Sequence, residues 1–418
     1  MQPRGPGLGA VGAARSETSV QYEGWRVAGA AGAGVFAGTL VFFSFPLLLK
    51  PLAEEFGWSR TSVSSAFGIL TLGAGLSAPL IGALADRVDA KWVCGPSLIV
   101  LAGAFASLSG LTPHLWHLYL VFALSGIAST GTSAVVYAPV VSSWFDRCRG
   151  RALALVMSAS AFGALAHPPS TSVLIRLAGW RAACVVLGVA ILLAGLPGVL
   201  LFLRRRHPAD APSPAAALIP ATTVADALQS RVFLIIVTVI FVSTLSLNGA
   251  IVHLAALLTD RGVSVGGAAL AVSALGAASL VGRIVTGWLL DRYAAPRVLM
   301  LLLSAVSLGT FLLAGAGSMA TGMLAAALLG FGTGGEADVL PYLLSRHFGL
   351  RSLSSLLGIN WMAWGAAGAT GPILMGRAYD LTGSYEHVLI GFAAGTLGAA
   401  LLLLAVPAHS PRAVAEIA

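Results

Sequence analysis

Apolar stretches about 20 residues long follow one another along almost the whole chain, separated by short polar segments. An α-helix of about 20 apolar residues is long enough to cross the hydrocarbon core of a bilayer. The stretches lack the alternation of apolar and polar residues that is typical of a membrane β-barrel. The pattern therefore predicts an all-α membrane protein with twelve transmembrane helices, at 26–49, 61–84, 92–112, 116–144, 152–175, 182–203, 232–258, 266–290, 298–317, 321–345, 355–376 and 388–407.

The longest polar segment divides these stretches into two groups of six. Residues 204–231 are rich in proline and alanine and begin with three arginines. We expect this segment to be a cytoplasmic linker between one six-helix half at 26–203 and a second half at 232–407. The ends of the chain, 1–25 and 408–418, are expected to be cytoplasmic tails, the first of them disordered.

Composition indicates that lipid, rather than water, is the solvent of this chain. Its 418 residues are 57% hydrophobic and only 10% charged, whereas soluble domains carry about 25% charged residues. The net charge of +8 comes from basic residues at the ends of apolar stretches, which is a topology signal rather than a nucleic-acid-binding surface. Most of these residues fall on the cytoplasmic side if the N-terminus is cytoplasmic. We therefore expect both termini in the cytoplasm and the chain in the inner membrane.

The chemistry of enzymes and metal sites is not indicated. Cys94, Cys148 and Cys184 have no metal-binding or redox spacing. The chain also has no paired-histidine motif, nucleophile elbow or phosphate-binding loop. We expect no catalytic activity, no metal and no cofactor, and no partner except a small substrate, a coupling ion and the bilayer.

The two halves repeat one turn after the second helix of each. Residues 82–87 read G-A-L-A-D-R and residues 287–292 read G-W-L-L-D-R. Two six-helix halves with this turn in each resemble the major facilitator superfamily, whose loop reads roughly G-x-L-x-D-R-x-G-x-[RK]. The later glycine of that loop is replaced by Asp89 and Ala294. The resemblance implies a conformational latch on the cytoplasmic side, formed by Asp86, Arg87, Asp291 and Arg292.

Further segments resemble one branch of that superfamily, the bacterial monocarboxylate and oxalate/formate-type carriers. These segments are F-P-L-L-L-K-P-L-A-E-E-F-G-W-S-R at 45–60, the turn at 144–154, the end of helix 7 at 252–262, and Gly282-Arg283 in helix 8. The resemblance covers nearly the whole chain apart from the tails and the linker. It implies proton symport of a small monocarboxylate, such as lactate or pyruvate, by alternating access in a monomeric carrier.

Arg283 is the residue on which the substrate class depends. It lies eight residues before Asp291, hence about 12 Å inside the cytoplasmic end of its helix. A guanidinium at the centre of a membrane helix costs about 2.5–3.5 kcal/mol, so it must face a wet cavity or a counter-charge. Its planar fork suits a carboxylate, and the resemblance places the substrate's carboxylate on it. The alternative is a static internal ion pair.

The number of buried cations favours a monocarboxylate. Oxalate-type exchangers that resemble this chain pair the helix 8 arginine with a lysine in helix 11, where residues 358–365 read G-I-N-W-M-A-W-G. One fixed cation balances one negative charge, and a dicarboxylate would leave an excess charge in a site of low dielectric. Two alternatives stay open: an organic-anion exchanger of the oxalate/formate type, and a non-transporting sensor on the same fold.

Proton symport requires a titratable group that is coupled to Arg283. Animal monocarboxylate carriers have an aspartate one turn before the arginine, where this chain has Ser279. We expect one of the two acids of helix 10, Glu336 in preference to Asp338, to reach the cavity and to neutralise Arg283 when substrate is absent. The candidates are Glu336 and Asp338 in helix 10, and His253 and Asp260 in helix 7. The alternative role for the two acids of helix 10 is hydrogen bonding between helices. The alternative for His253 is packing, and the alternative for Asp260 is a solvated position at the end of the helix.

The remaining candidates line the same cavity at comparable depth. A tyrosine hydroxyl suits a substrate hydroxyl or carboxylate, and two asparagines are further polar candidates. The cavity is otherwise expected to be apolar. Packing inside the bundle is the alternative for each of these residues, which are Tyr137, Asn248, Asn360, Trp361, Phe45 and Leu47.

Overall fold

The computed structural model describes residues 22–145, 149–204, 224–290, 292–348 and 353–407, and within these ranges it is helical with no strand. In lipid no water is available to bind the backbone N–H and C=O groups, so these groups pair with each other within helices. This requirement explains the high helical content. The helices are α1 Glu23–Gly38, α2 Leu40–Phe56, α3 Arg60–Arg87, α4 Lys91–Ser107, α5 Leu115–Gly131, α6 Ala134–Trp144, α7 Arg149–Phe202, α8 Val224–Gln229, α9 Arg231–Asp260, α10 Val265–Leu290, α11 Ala295–Ala314, α12 Met319–Phe348, α13 Leu353–Thr382 and α14 Glu386–Leu402.

The helix boundaries differ from the predicted spans in three places. The first predicted span is divided at Thr39 into α1 and α2, and the fourth is divided between Gly131 and Ala134 into α5 and α6. The fifth and sixth are joined in α7, which has 54 residues and a non-helical residue, Gly179, at φ 76° and ψ 163°. Glycine adopts this backbone conformation readily, whereas residues with a side chain do not. At 1.5 Å per residue α7 would be about 80 Å long, so it contains two spans.

The described helices are consistent with the twelve predicted spans. Nine segments in the described ranges are long and apolar enough to cross a bilayer, and the one at Arg151–Phe202 is long enough for two. The helices α12 and α13 have 30 residues each and lie outside these nine segments. The chain is therefore an all-α protein that crosses the membrane many times.

The helices pack as two bundles with separate apolar cores. One core draws almost entirely on α1–α7, which we call the N-terminal half. Two cores draw almost entirely on α8–α14, which we call the C-terminal half. Glycines bring equivalent helices together in each half: Gly126 of α5 lies against the backbone of Leu70, and Gly330 of α12 lies against that of Leu275. Small residues at such contacts allow close packing in membranes.

The two ends of the bundle are named here by residues that lie there. At the Asp260 end, α2 is followed by α3, α9 by α10, and α13 by α14. At the Leu290 end, α3 is followed by α4 and α10 by α11. The site described below extends from one end towards the other along the surface between the halves.

Candidate functional site

An ion-pair cluster joins the two halves at the Asp260 end. Asp260, the last residue of α9, contacts Arg60, the first residue of α3, with 2.5 Å from Nη1 to Oδ2 and 2.9 Å from Nη2 to Oδ1. Lys50 of α2 lies 3.0 Å from Oδ1. The Arg60 and Asp260 side chains are only 10% and 20% exposed, so solvent screens their attraction weakly. Both cations belong to the N-terminal half and the carboxylate belongs to the C-terminal half.

A second carboxylate of the C-terminal half caps α3. Asp380 of α13 accepts hydrogen bonds from the backbone N–H groups of Arg60, at 3.0 Å, and Thr61, at 2.9 Å. The Thr61 hydroxyl donates to it at 2.5 Å. The first N–H groups of a helix have no partner within the helix, and a carboxylate there also meets the positive end of the helix dipole. The start of α3 is thus satisfied by the opposite half.

A chain of hydrogen bonds connects Arg60 to the buried His253. Arg60 donates to the Tyr385 hydroxyl, which lies 3.1 Å from His253 Nδ1. His253 Nε2 lies 3.0 Å from the carbonyl oxygen of Pro372 and 3.0 Å from the hydroxyl of Ser64. Because a carbonyl only accepts, the geometry assigns the hydrogen to Nε2, and Nδ1 accepts from Tyr385. In this assignment His253 is a neutral imidazole in the contact between the halves. We call Lys50, Arg60, His253, Asp260, Asp380 and Tyr385 the Arg60 cluster.

Glycines on α3 and α13 show where contact between the halves stops. A Cβ built on Gly75 would lie 3.2 Å from the Cα of Gly365, so the two helices touch there. Residues seven apart share a helix face. Two turns towards the Leu290 end, a Cβ on Gly82 meets only Val135 of its own half, and one on Gly358 meets nothing within 4 Å. A gap therefore separates α3 from α13 at this level.

The polar contacts agree with this one-sided closure. Among the described residues, the ion pairs and side-chain hydrogen bonds that join the halves all lie at the Asp260 end. The ion pairs described at the Leu290 end, Lys91 with Asp89 and Arg204 with Glu23, stay within the N-terminal half. The structure is closed at the Asp260 end.

Arg283 lies on the surface of α10 that faces the other half. Gly276, seven residues earlier, packs against α7, and a Cβ there would lie 2.5 Å from backbone atoms of Ala164 and Leu165. Arg283 shares that face two turns further on. It is partly buried and lies about 10 Å from the end of α10 at Leu290. It is a fixed cation at membrane depth, on the face that α10 turns towards the N-terminal half.

Two predicted lining residues lie where the halves face each other. Trp361 of α13 is 42% exposed, with its ring 5.3 Å from that of Trp364 in an edge-on contact, and its carbonyl oxygen lies close to Gly75 of α3. Leu47 belongs to α2 but packs in an apolar core of the C-terminal half. Trp361 therefore lies at the contact of α3 with α13, and Leu47 belongs to the contact between the halves.

Two other predicted lining residues are packing residues of the N-terminal half in this structure. Tyr137 is fully buried, and its hydroxyl lies over Gly34 of α1. Phe45 is fully buried, with ring centroids 5.3 and 5.0 Å from those of two other phenylalanines, Phe67 and Phe122. Packing within the N-terminal half buries both side chains.

The two predicted asparagines are buried in the C-terminal half. Each donates its amide hydrogen to the carbonyl one turn earlier in its own helix, Asn248 to Thr244 at 3.3 Å and Asn360 to Leu356 at 2.9 Å. The Oδ1 atom of Asn360 is buried with no hydrogen-bond partner in the described part of the chain. Neither side chain is placed in the gap.

Glu336 lies between α12 and α9 rather than against Arg283. The Ser243 hydroxyl donates to its Oε2 atom at 2.9 Å, and the residue is buried. Among the described residues, no ion pair joins Glu336 to Arg283. The expected neutralisation of Arg283 by Glu336 is thus not formed in this structure, because Ser243 holds the carboxyl group. The side chain of Asp338 lies outside the described residues.

Only the basic residues of the predicted latch have described side chains. Arg87 is exposed at the end of α3. Arg292 stacks on Trp288, with 4.0 Å from its guanidinium carbon to the ring centroid. The side chain of Asp86, the whole of Asp291 and the whole of Cys148 lie outside the described residues. The latch stays a prediction.

Comparison with known proteins decides the family. A model of the Major Facilitator Superfamily matches residues 30–372 and 234–417. The chain belongs to the major facilitator superfamily. It is similar to Monocarboxylate transporter 11 of Homo sapiens, with 29% identity over 411 residues, 93% of this chain and 84% of that protein. It is also similar to the Uncharacterized MFS-type transporter YcxA of Bacillus subtilis, with 25% identity over 360 residues, 82% of this chain and 85% of that protein.

A solved structure supports the same fold. The bacterial homologue of the human lysosomal transporter Spinster, in an inward-facing and unoccupied conformation, matches with a TM-score of 0.67 at 15% identity. The match covers 93% of this chain and 96% of that one. As a major facilitator with many apolar helices, the protein is a multi-pass membrane transporter of a small molecule.

Sequence reasoning missed most of the Arg60 cluster. It singled out Asp260 and His253 as proton acceptors, but gave no role to Lys50, Arg60 or Tyr385. Cations are common at the ends of membrane helices, so these two did not stand out. Arg60 and Asp260 are 200 positions apart in the chain, and a single sequence carries no signal that pairs them.

Proposed function

We propose that this transporter carries a small monocarboxylate of the lactate or pyruvate class by proton symport with alternating access. The observation that carries the proposal is the position of Arg283, at membrane depth and on the face that α10 turns to the other half. An arginine cannot lose its proton in a protein, and its planar fork binds a carboxylate through two parallel hydrogen bonds. Similarity to a protein named a monocarboxylate transporter supports this substrate class.

The proposal also includes the orientation of the protein in the membrane and the step of the transport cycle that the structure represents. The termini face the cytoplasm in the inner membrane, so the Asp260 end faces outwards and the structure is the inward-facing state. The Arg60 cluster closes the outer side while Arg283 communicates with the cytoplasm through the gap. The outward-facing state forms when the cluster separates and the Leu290 end closes. The close contacts of α3 with α13 and of α7 with α10 are the surfaces on which the halves rock.

The Arg60 cluster helps to choose among the proton carriers. In symport the loaded carrier must close its outer side while the proton is bound. Protonation of Asp260 neutralises the carboxylate that Arg60 and Lys50 bind. Protonation of His253 at Nδ1 removes the acceptor for the Tyr385 hydroxyl. Either proton therefore weakens the closed outer side. Glu336 is buried within one half beside Ser243, so it binds and releases a proton without breaking this contact. We assign the coupled proton to Glu336.

Uptake into proteoliposomes tests the substrate assignment. Labelled lactate and pyruvate are offered with and without an inside-alkaline pH gradient. We expect gradient-driven uptake by the parent protein, at least a hundredfold loss with Arg283→Gln, and partial activity with Arg283→Lys, which keeps the charge but not the fork. Arg176→Gln, at an exposed arginine of α7, is the matched control. Uptake of every organic acid at the parental rate by Arg283→Gln would refute the assignment.

A second variant separates proton coupling from substrate binding. Glu336→Gln keeps an oxygen that accepts from Ser243 but does not titrate. We expect counterflow of labelled lactate to continue in this variant while accumulation driven by the pH gradient is lost. Gradient-driven accumulation that survives would move the proton to another residue. Counterflow without any pH effect in the parent protein would identify an exchanger instead.

A further inference from the structure

The Arg60 cluster contains a carboxylate-binding site that is occupied in this structure by a side chain of the opposite half. Both oxygens of Asp260 are engaged, by the two terminal nitrogens of Arg60 and by the ammonium of Lys50. This is the two-point geometry in which a guanidinium binds a free carboxylate. The helix start beside it holds a second carboxylate, that of Asp380.

The two cations have little compensation within their own half. Among the described residues, the ion-pair partner of Arg60 is Asp260. Lys50 also approaches Glu54, but at 3.9 Å and with that side chain 67% exposed, so the interaction is weak. The neighbouring Glu55 is held by Arg181 at 2.6 Å. When Asp260 leaves, a pair of closely spaced positive charges remains with little counter-charge.

Opening of the Asp260 end removes both carboxylates together. Asp260 and Asp380 belong to the C-terminal half and leave with it, and so does Tyr379, which lies over the Arg60 guanidinium at 3.7 Å. The N-terminal half then exposes the groups that bind carboxylates in the closed structure. These groups are the fork of Arg60, the ammonium of Lys50 and the first backbone N–H groups of α3.

We propose that Arg60 and Lys50 form a second anion site, separate from Arg283, that binds a small external carboxylate only while the Asp260 end is open. The bound acid takes the place of the Asp260 carboxylate. It therefore opposes reclosure of the halves, and external organic acids at high concentration hold the carrier open. This inference rests on the alternating-access part of the proposed function, but not on the identity of the transported substrate.

The selectivity of this site follows from its charge. Two adjacent cations whose remaining partner is the exposed Glu54 accommodate more negative charge than a single cation does. A small dicarboxylate such as malonate is therefore expected to bind here better than acetate. Chloride lacks the two planar oxygens that match the guanidinium fork, so it is expected to bind more weakly than either acid.

Labelling of a cysteine at Ser64 tests the proposal. Ser64 is fully buried beneath His253 of the other half, so it becomes accessible only when the Asp260 end opens. The variant Ser64→Cys is made together with Arg283→Gln, which removes the proposed transport site. A membrane-impermeant maleimide is added from the Asp260 side with malonate, acetate or chloride at equal ionic strength. The same protein with Ser64 intact measures labelling of the native cysteines.

We expect malonate to accelerate labelling severalfold and saturably, acetate to do so less, and chloride not at all. Lys50→Gln keeps the Arg60–Asp260 pair, so its gate still closes, but the acceleration by malonate is expected to fall at least tenfold in apparent affinity. Equal acceleration by chloride, or an unchanged malonate response in Lys50→Gln, would overturn the proposal. Transport that persists in Arg283→Gln would refute the assignment of Arg283 as the substrate site. It would leave the second anion site untouched, because the labelling response does not depend on Arg283.

Discussion

Replacing Asp260 by asparagine removes the negative charge that holds the two halves together at one end. The substitution keeps the size of the side chain and one oxygen that accepts from Arg60. It removes the second oxygen and the ionic attraction of Lys50, which lies 3.0 Å away in the parent protein. The change therefore acts on the contact between the halves and leaves the core of each half intact.

The structure sets the size of the effect. Removal of one partner from a buried ion pair costs about 3–5 kcal/mol, whereas exposed pairs contribute about 0–1 kcal/mol. The side chains of Lys50, Arg60 and Asp260 are 30%, 10% and 20% exposed, which places this cluster between the two cases. We expect a shift of about 2 kcal/mol towards the open state, equivalent to about thirtyfold in the equilibrium constant.

The assay is the rate of maleimide labelling of a cysteine at Ser64, with the rest of the binding site intact. We expect labelling of Asp260→Asn to be about tenfold to thirtyfold faster than that of the parent. Glu55→Gln is the matched control, because it breaks an ion pair of 2.6 Å at the same end but within one half. The reasoning fails if Asp260→Asn is labelled at the parental rate, or if Glu55→Gln accelerates labelling as much.

Two further predictions concern packing between and within the halves. A Cβ on Gly276 would lie 2.5 Å from the α7 backbone, so Gly276→Ala is expected to lower the melting temperature in detergent and slow turnover, whereas Gly266→Ala, with nothing within 4 Å, is expected to change neither. His253→Phe keeps the ring but leaves the Tyr385 hydroxyl and the Pro372 carbonyl without their partner, at a cost of about 1–3 kcal/mol. Thermal unfolding is expected to place His253→Phe several degrees below His253→Gln, and equal melting temperatures would contradict the assigned network.

The helical architecture was predictable because the bilayer imposes it. Each span needs a long apolar run, and these runs are visible in the sequence without any knowledge of packing. The break at Thr39 was not predictable, because no proline or charge interrupts the apolar run there. The break between Gly131 and Ala134 coincides with small and polar residues, S-T-G-T-S at 129–133, which the prediction of the spans did not use. The connection between the fifth and sixth spans was predicted as a loop. In the structure α7 continues through it and turns at Gly179.

Site residues could be predicted from the sequence only where their type is unusual for their position in a membrane helix. Arg283 stands out because a charge inside an apolar span is costly. Tyr137 and Phe45 are ordinary aromatic residues of membrane helices, and the sequence does not say which side of a helix faces a gap and which faces a core. Arg60 obeys the usual preference for cations at helix ends, so its part in the contact between the halves became visible only in three dimensions.

The two kinds of contact between the halves have different consequences for transport. The glycine contacts of α3 with α13 and of α7 with α10 are apolar, and lipid replaces them with little change in solvation, so they guide motion without favouring either end. The Arg60 cluster is polar and specific to one end, so its free energy favours the state that is closed there.

A carrier that alternates between two states must offset this preference with contacts at the other end. The predicted latch is the natural source, because Asp86 and Asp291 occupy equivalent positions in the repeated G-x-L-x-D-R turns of the two halves. If the two ends are balanced in this way, weakening the Arg60 cluster alone slows the cycle, and weakening both ends restores part of the rate.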